Sequence, residues 1–132
     1  LPGVRDFLNL VRRRGMDLCI VSLQHTETIR YVLSSYFSDL IVPIFGRNSA
    51  CRSKPYPDHI IACIHKYGCT IDESVMIGDS VTDALAAKNA DVPFIGIESG
   101  LYTHRELCLY GAMVVFEDMN ELAKFLVKIY FS

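Results

Sequence analysis

The stretch VMIGDSVTDALAA, residues 75–87, changes character in its middle. Apolar residues up to Ile77 are followed by Gly78 and by two aspartates, Asp79 and Asp83, four positions apart. A short apolar run is typical of a buried strand, and an alanine-rich segment is typical of a helix. The stretch therefore predicts a strand, a tight turn and a helix, with both carboxylates just past the end of the strand.

The same strand-and-helix pattern occurs along the rest of the chain. Helices are predicted from Val4 to the Arg12–Gly15 segment and at Thr26–Tyr36, Pro57–Tyr67, Val81–Ala90, His104–Tyr110 and Asn120–Tyr130, and strands at Leu18–Leu23, Leu40–Phe45, Ser74–Ile77, Pro93–Ile97 and Ala112–Phe116. Alternating strands and helices favour right-handed crossovers. The predicted fold class is α/β, a three-layer doubly wound parallel sheet, in one domain over residues 1–132.

Composition excludes several classes of function. The chain has 132 residues, of which 51% are hydrophobic and 21% charged, and its formal net charge is −2. A folded domain is expected from these values. Neither a basic stripe nor an acidic tail is present, so nucleic acid and membrane surfaces are not expected partners. No apolar run approaches the roughly 18 residues of a membrane span.

The five cysteines show no metal-binding or redox pattern, because they lack both CxxC pairing and zinc spacing. Cys19 and Cys63 lie in apolar runs, where a reduced cysteine behaves as a small hydrophobic residue. We interpret them as reduced, which predicts a reducing, cytoplasmic location.

Polar residues occur at or near three predicted strand ends. Ser22 is the last polar residue of the first strand, Lys54 lies just before a helix, and Asp79 and Asp83 follow the third strand. Ligands of open parallel sheets bind beyond the carboxyl ends of the strands. These four residues are therefore the candidates for one site.

Their chemistry suits a phosphoryl group. Two close carboxylates repel each other unless a cation intervenes, and Mg²⁺ with its oxygen ligands suits that position. Alternatively, Asp79 caps the helix and Asp83 favours its positive end. Lys54 or Ser22 alone is an ordinary loop or strand residue. Together, a hydroxyl, an ammonium group and a carboxylate pair can bind phosphate oxygens and a metal.

The order of these segments resembles a known family. Ser22 after CIV, KPYPD at residues 54–58 and MIGDSVTD at residues 76–83 are similar to the second, third and fourth motifs of the haloacid dehalogenase superfamily. The branch that they resemble most is the phosphoglycolate-phosphatase-like group. The segment LPGVRDFLNLVRRRGMDLCIVS, residues 1–22, resembles the part of that branch that follows its cap domain.

The resemblance implies a Mg²⁺-dependent phosphate monoester hydrolase that acts through an aspartyl-phosphate. By position, Ser22 would bind the phosphoryl oxygens and Lys54 would stabilise the charge on nucleophile and phosphate. Asp79 would ligate Mg²⁺, and Asp83 would hold the metal site or the lysine in place. The expected partner is a small phosphorylated metabolite, whose identity depends on the cap.

Two departures from the family pattern matter. Leu23 stands where relatives often carry asparagine, and the first motif, Asp-x-Asp with its nucleophile and general acid, has no match in the chain. In the family that motif precedes the cap, so we expect it upstream of Leu1. In the family's sheet order, the strand that carries this motif lies between the strand bearing Ser22 and the strand bearing Asp79. The chain is thus expected to be the C-terminal portion of a core domain and inactive by itself.

Alternatives remain open at this level. A non-catalytic module of the same superfamily that binds a partner would share these motifs, as would a phosphomutase or a dehalogenase. The sequence upstream of Leu1 would separate enzyme from module, because only the enzyme needs an apolar strand that ends in Asp-x-Asp. A receiver-like or nucleotide-binding domain is less consistent, since neither GxGxxG nor a P-loop pattern occurs.

Overall fold

The computed structural model describes residues 3–22, 31, 43–47, 49 and 51–130. Its helices are α1 (Val4–Arg13), α2 (Asp58–Tyr67), α3 (Val81–Asn89), α4 (His104–Leu109) and α5 (Met119–Tyr130), with a short 3₁₀ turn at Ile71–Glu73. Its strands are β1 (Ile20–Val21), β2 (Ile44–Phe45), β3 (Met76–Gly78), β4 (Phe94–Ile97) and β5 (Ala112–Phe116). The order along the described chain is that of an α/β protein.

All strand pairs are parallel, but they form two sheets. In one sheet β1 pairs with β2, and in the other the order is β3-β4-β5. Within the described residues, β1 and β3 each have a strand partner on one side only. This arrangement agrees with the predicted parallel sheet and with an incomplete core.

The three-stranded sheet is covered on both faces. Phe94 of β4 belongs to a core cluster with residues of α2, α3 and α4, namely Ile60, Ile64, Ala84, Ala86, Ala87 and Leu107. Ile95 and Ile97 of the same strand belong to a second cluster with residues of α1 and α5, namely Phe7, Leu10, Val11, Met119, Leu122 and Leu126. Because strand side chains alternate between faces, these clusters are the two sides of a three-layer structure.

Most predicted elements are confirmed within one or two residues. Among the described residues, the strand predicted at Leu18–Leu23 is paired at Ile20–Val21 and the one predicted at Leu40–Phe45 at Ile44–Phe45, while residues 23 and 40–42 lie outside the described ranges. The Ile20 N–H donates to the carbonyl of Pro43 at 3.0 Å. Pro43 has no N–H with which to extend the ladder, which explains the short pairing at this end. The helix predicted at Thr26–Tyr36 lies outside the described residues except for Tyr31, which is helical.

The interpretation of Cys19 and Cys63 as reduced is wrong for this structure. A disulfide joins them, with their Cα atoms 6.0 Å apart, and links the segment before β1 to α2. Next to this bridge the Tyr67 hydroxyl donates to the carbonyl of Leu18 at 2.6 Å, and burial raises the pKa of that phenol. Sequence spacing could not reveal the bridge, because 44 positions separate the two cysteines.

No helix in the described part of the chain has the length and apolar character needed to cross a membrane.

Candidate active site

The turn after β3 is built by hydrogen bonds at the start of α3. Ser80 is the N-cap residue, and its hydroxyl accepts a hydrogen bond from the Asp83 N–H at 3.1 Å. The Asp79 N–H donates to Asp83 Oδ2 at 3.2 Å. The alternative in which Asp79 caps the helix is therefore not what the structure shows. The cap is Ser80.

Gly78 lets Asp83 approach the end of the strand. A Cβ atom added at Gly78 would lie 2.6 Å from both the Cβ and the Cγ of Asp83. Real Cβ atoms essentially never come closer than 3.0 Å to a heavy atom of a residue that is not their own or a chain neighbour. The glycine is thus required by the space that the Asp83 carboxylate occupies.

We predict that Gly78→Ala lowers the free energy of unfolding by about 1–3 kcal/mol, as overpacking of a buried site does. Thermal or denaturant unfolding would measure it. Because the clash is with the Cβ, Cγ and Oδ2 atoms of Asp83, most of this cost should disappear when Asp83→Gly, which removes all three, is also present. A cost that is the same in both backgrounds would contradict the steric explanation.

A buried ion pair connects two of the predicted residues. Lys54 Nζ and the Asp83 carboxylate form an ion pair, and their side chains are only 10% and 8% exposed. The same ammonium group donates to the Val21 carbonyl at 3.4 Å. Lys54 therefore joins the end of β1 to the first turn of α3. An ammonium group and a carboxylate removed from water in this way require each other.

Ser22 directly follows Val21, whose carbonyl accepts from Lys54, so the predicted hydroxyl lies at the same edge. The backbone N–H of Ser22 donates to the carbonyl of Phe45 at 3.0 Å, which places Ser22 at the carboxyl end of β1 beside β2. Contacts thus join Lys54, Asp83 and the Asp79 N–H, and Ser22 is next in sequence to Val21, whose carbonyl accepts from Lys54.

Among these residues, Asp79 is the one whose carboxylate is best suited to bind a cation. Its carboxylate is partly exposed, and no described side chain donates to it. Both oxygens of Asp83, in contrast, already accept hydrogen bonds, from Lys54 Nζ and from the Asp79 N–H. Within the described ranges, no group of three or more histidine, cysteine or acidic side chains could hold a metal ion. Mg²⁺ commonly binds through one or two carboxylates plus substrate phosphate, so Asp79 fits that pattern and Asp83 fits a supporting role.

Sequence reasoning missed the residues that hold the loop before α2. Arg52 binds the Asp58 carboxylate with its Nε at 3.0 Å, its Nη2 at 3.2 Å and its backbone N–H at 3.2 Å. The Arg52 guanidinium carbon also lies 4.2 Å from the centre of the Tyr56 ring. The hydrogen bond from Arg52 lowers the pKa of Asp58. The only available signal was an arginine and an aspartate that flank KPYP.

The chain matches the family model for haloacid dehalogenase-like hydrolases over residues 1–97. It is 29% identical over 126 residues to the phosphoglycolate phosphatase of Rhodospirillum rubrum, covering 95% of this chain and 52% of that protein. It is 33% identical over 127 residues to the phosphoglycolate phosphatase of Agrobacterium fabrum, covering 92% of this chain and 52% of that protein. The chain spans about half the length of these curated relatives.

Solved structures agree with the sequence relatives. A hydrolase from Pseudomonas syringae superposes with a TM-score of 0.88 at 32% identity, covering 98% of this chain and 59% of that chain. The parallel α/β fold and the matched model define a haloacid dehalogenase-like core domain. The chain belongs to the haloacid dehalogenase-like hydrolase family.

Proposed function

We propose that the chain supplies the phosphate-binding and metal-binding half of a Mg²⁺-dependent phosphate monoester hydrolase. The observation that carries this proposal is the buried Lys54–Asp83 ion pair at the carboxyl ends of two parallel strands. A positive charge fixed at this edge is what a phosphoryl group needs when charge develops on it. The shared family and the phosphoglycolate phosphatase relatives support the same reaction class.

The contacts of Lys54 and Asp83 support the role proposed for each of them. Lys54 Nζ has three N–H groups, of which two are directed at Val21 O and Asp83, so the third can donate to a phosphoryl oxygen. Asp83 holds the ammonium group in place. Ser22 donates its hydroxyl to a second phosphoryl oxygen.

Asp79 is the residue that would hold Mg²⁺, with its carboxylate as a direct ligand. When bound, the metal would neutralise phosphate charge and orient the phosphate. Asp83 would act on the same site through Lys54 and through the Asp79 N–H. The direct binding of the metal by Asp83 remains a prediction.

We further propose that the nucleophile lies outside the chain. Within the described residues, β1 and β3 each lack a partner on one side, and the relatives are about twice as long. A strand that ends in Asp-x-Asp and pairs with both would place its carboxylates beside Lys54 and Asp79. Such a strand would also satisfy the backbone groups of both edges.

The substrate class follows from the site and from the relatives. A small phosphorylated metabolite is proposed, with 2-phosphoglycolate as the first candidate because the curated relatives are phosphoglycolate phosphatases. The cytoplasmic location stays a prediction from the sequence, and the Cys19–Cys63 bridge argues against it, because stable disulfides are rare in reducing compartments.

The test uses a longer polypeptide that adds the segment preceding Leu1 and measures phosphate release from 2-phosphoglycolate and other phosphate monoesters. We expect activity that is lost when Mg²⁺ is chelated. In the variant Asp79→Asn, the Mg²⁺ concentration for half-maximal rate should rise about tenfold or more, since metal affinity depends on ligand charge.

A matched control is Asp72→Asn, which changes an exposed aspartate in the 3₁₀ turn. It should leave the Mg²⁺ dependence unchanged. An unaltered Mg²⁺ requirement in Asp79→Asn would contradict the assignment of the metal ligand. If the longer polypeptide released no phosphate from any ester, the non-catalytic alternative would be favoured instead.

A further inference from the structure

We propose that Arg52 is a positioning residue for Lys54, acting through a clamp formed by Arg52, Tyr56 and Asp58. The inference rests on the proposed function, because it assigns the residue that sets the place of the phosphate-binding ammonium group. The clamp closes around the loop that carries Lys54, and none of its members touches the Lys54–Asp83 pair in the described contacts.

The clamp ties both sides of Lys54 to the start of α2. Arg52 lies two positions before Lys54, and Asp58 is the first residue of the helix. Three hydrogen bonds join Arg52 to that single carboxylate, two from the guanidinium group and one from the backbone. The Tyr56 ring, which lies between them in sequence, covers the guanidinium group. A planar fork bound to a carboxylate fixes orientation as well as distance.

Two further side chains hydrogen-bond to backbone carbonyls of the loop that carries Lys54. His59, which is fully buried, contacts the Cys51 carbonyl through Nε2 at 3.2 Å. Asn89 at the end of α3 donates its Nδ2–H to the Pro55 carbonyl at 3.0 Å. Backbone groups on both sides of Lys54 are therefore bonded to α2 or α3. Of the three side chains that hydrogen-bond to hold this loop, His59 and Asn89 belong to helices and Arg52 lies outside them.

The clamp is expected to affect the position of the Lys54 loop more than the stability of the fold. The Arg52 side chain is 64% exposed and that of Asp58 is 23% exposed, and exposed ion pairs contribute little to folding. A lysine side chain is long and flexible, so the position of its Nζ depends on where the loop holds its backbone. A displacement of about 1 Å in a reacting site can cost up to roughly 100-fold in rate.

The test compares Arg52→Ala, Arg52→Lys and the unaltered protein in the longer polypeptide. We expect Arg52→Ala to lower kcat about tenfold with KM changed less than about threefold, because the chemistry and not the access of substrate is affected. Arg52→Lys should recover part of the loss, since one charged contact to Asp58 can remain. The second readout is acetylation of Lys54 by acetic anhydride, followed by mass spectrometry. It should be several-fold faster in Arg52→Ala.

The matched control is Lys124→Ala, which removes the exposed Glu121–Lys124 ion pair on α5 and should change neither readout. If kcat and Lys54 acetylation in Arg52→Ala equal those of Lys124→Ala, the positioning role is wrong. If the unaltered polypeptide hydrolyses no ester but Lys54 acetylation still rises in Arg52→Ala, the proposed function fails while the positioning inference stands.

Discussion

Replacing Asp83 with alanine should lower the free energy of unfolding by about 3–5 kcal/mol, which is what removal of one partner from a buried ion pair costs. The reason is that Lys54, only 10% exposed on its side chain, would keep its charge without a carboxylate beside it. The same change removes the acceptor for the Asp79 N–H. Denaturant unfolding monitored by circular dichroism would measure the effect.

Two comparisons separate the ion pair from general packing. In the double variant Lys54→Met, Asp83→Ala, no charge remains buried at this position, so the cost should be clearly smaller than the sum of the two single changes. Glu121→Ala, which breaks an exposed ion pair on α5, should stay within about 0.5 kcal/mol of the unaltered protein. If Asp83→Ala cost no more than Glu121→Ala, the buried pair would not hold this part of the fold.

Replacing Lys54 with alanine should lower kcat/KM for phosphate ester hydrolysis roughly 100-fold to 1,000-fold in the longer polypeptide. This is the scale of losing one group that stabilises developing charge in a site excluded from water. Lys54 carries the positive charge of the described site, and its ammonium group lies between the end of β1 and Asp83. Steady-state rates of phosphate release would give the change.

The loss must be distinguished from unfolding, because Lys54→Ala also leaves Asp83 without its partner. The variant should be assayed only where its circular dichroism spectrum matches that of the unaltered protein. Added methylamine should restore part of the rate if an ammonium group is what the site lacks. A Lys54→Ala variant that is folded and within a few-fold of full activity would contradict the role given to this residue.

Much of the fold followed from local pattern. The apolar run before Gly78 and the alanine-rich segment after it correctly predicted β3 and α3, and β4 and β5 agreed within one residue. Strand length was predicted less well at β1. At one end, the pairing of β1 stops beside Pro43, because proline has no N–H to donate. Pro43 lies outside residues 18–23, so the pattern of those residues could not indicate this limit.

The members of the candidate site were selected from the sequence and remain predictions, whereas most of their contacts became visible only in the structure. Position at strand ends was enough to select Ser22, Lys54, Asp79 and Asp83, whose individual roles remain predictions. The family resemblance left open whether Asp83 holds the metal site or the lysine, and the structure shows a Lys54–Asp83 contact across 29 positions. The choice of Ser80 as helix cap was equally hidden, because serine and aspartate are similarly good at that position.

The central claim is that this chain carries one half of a phosphatase site and depends on a nucleophile outside it. The most direct test compares phosphate release from one ester, with Mg²⁺ present, by the 132-residue chain and by the polypeptide that includes the preceding segment. We predict turnover by the longer polypeptide and none by the shorter chain. Turnover by the 132-residue chain that Asp79→Asn abolishes would contradict the claim.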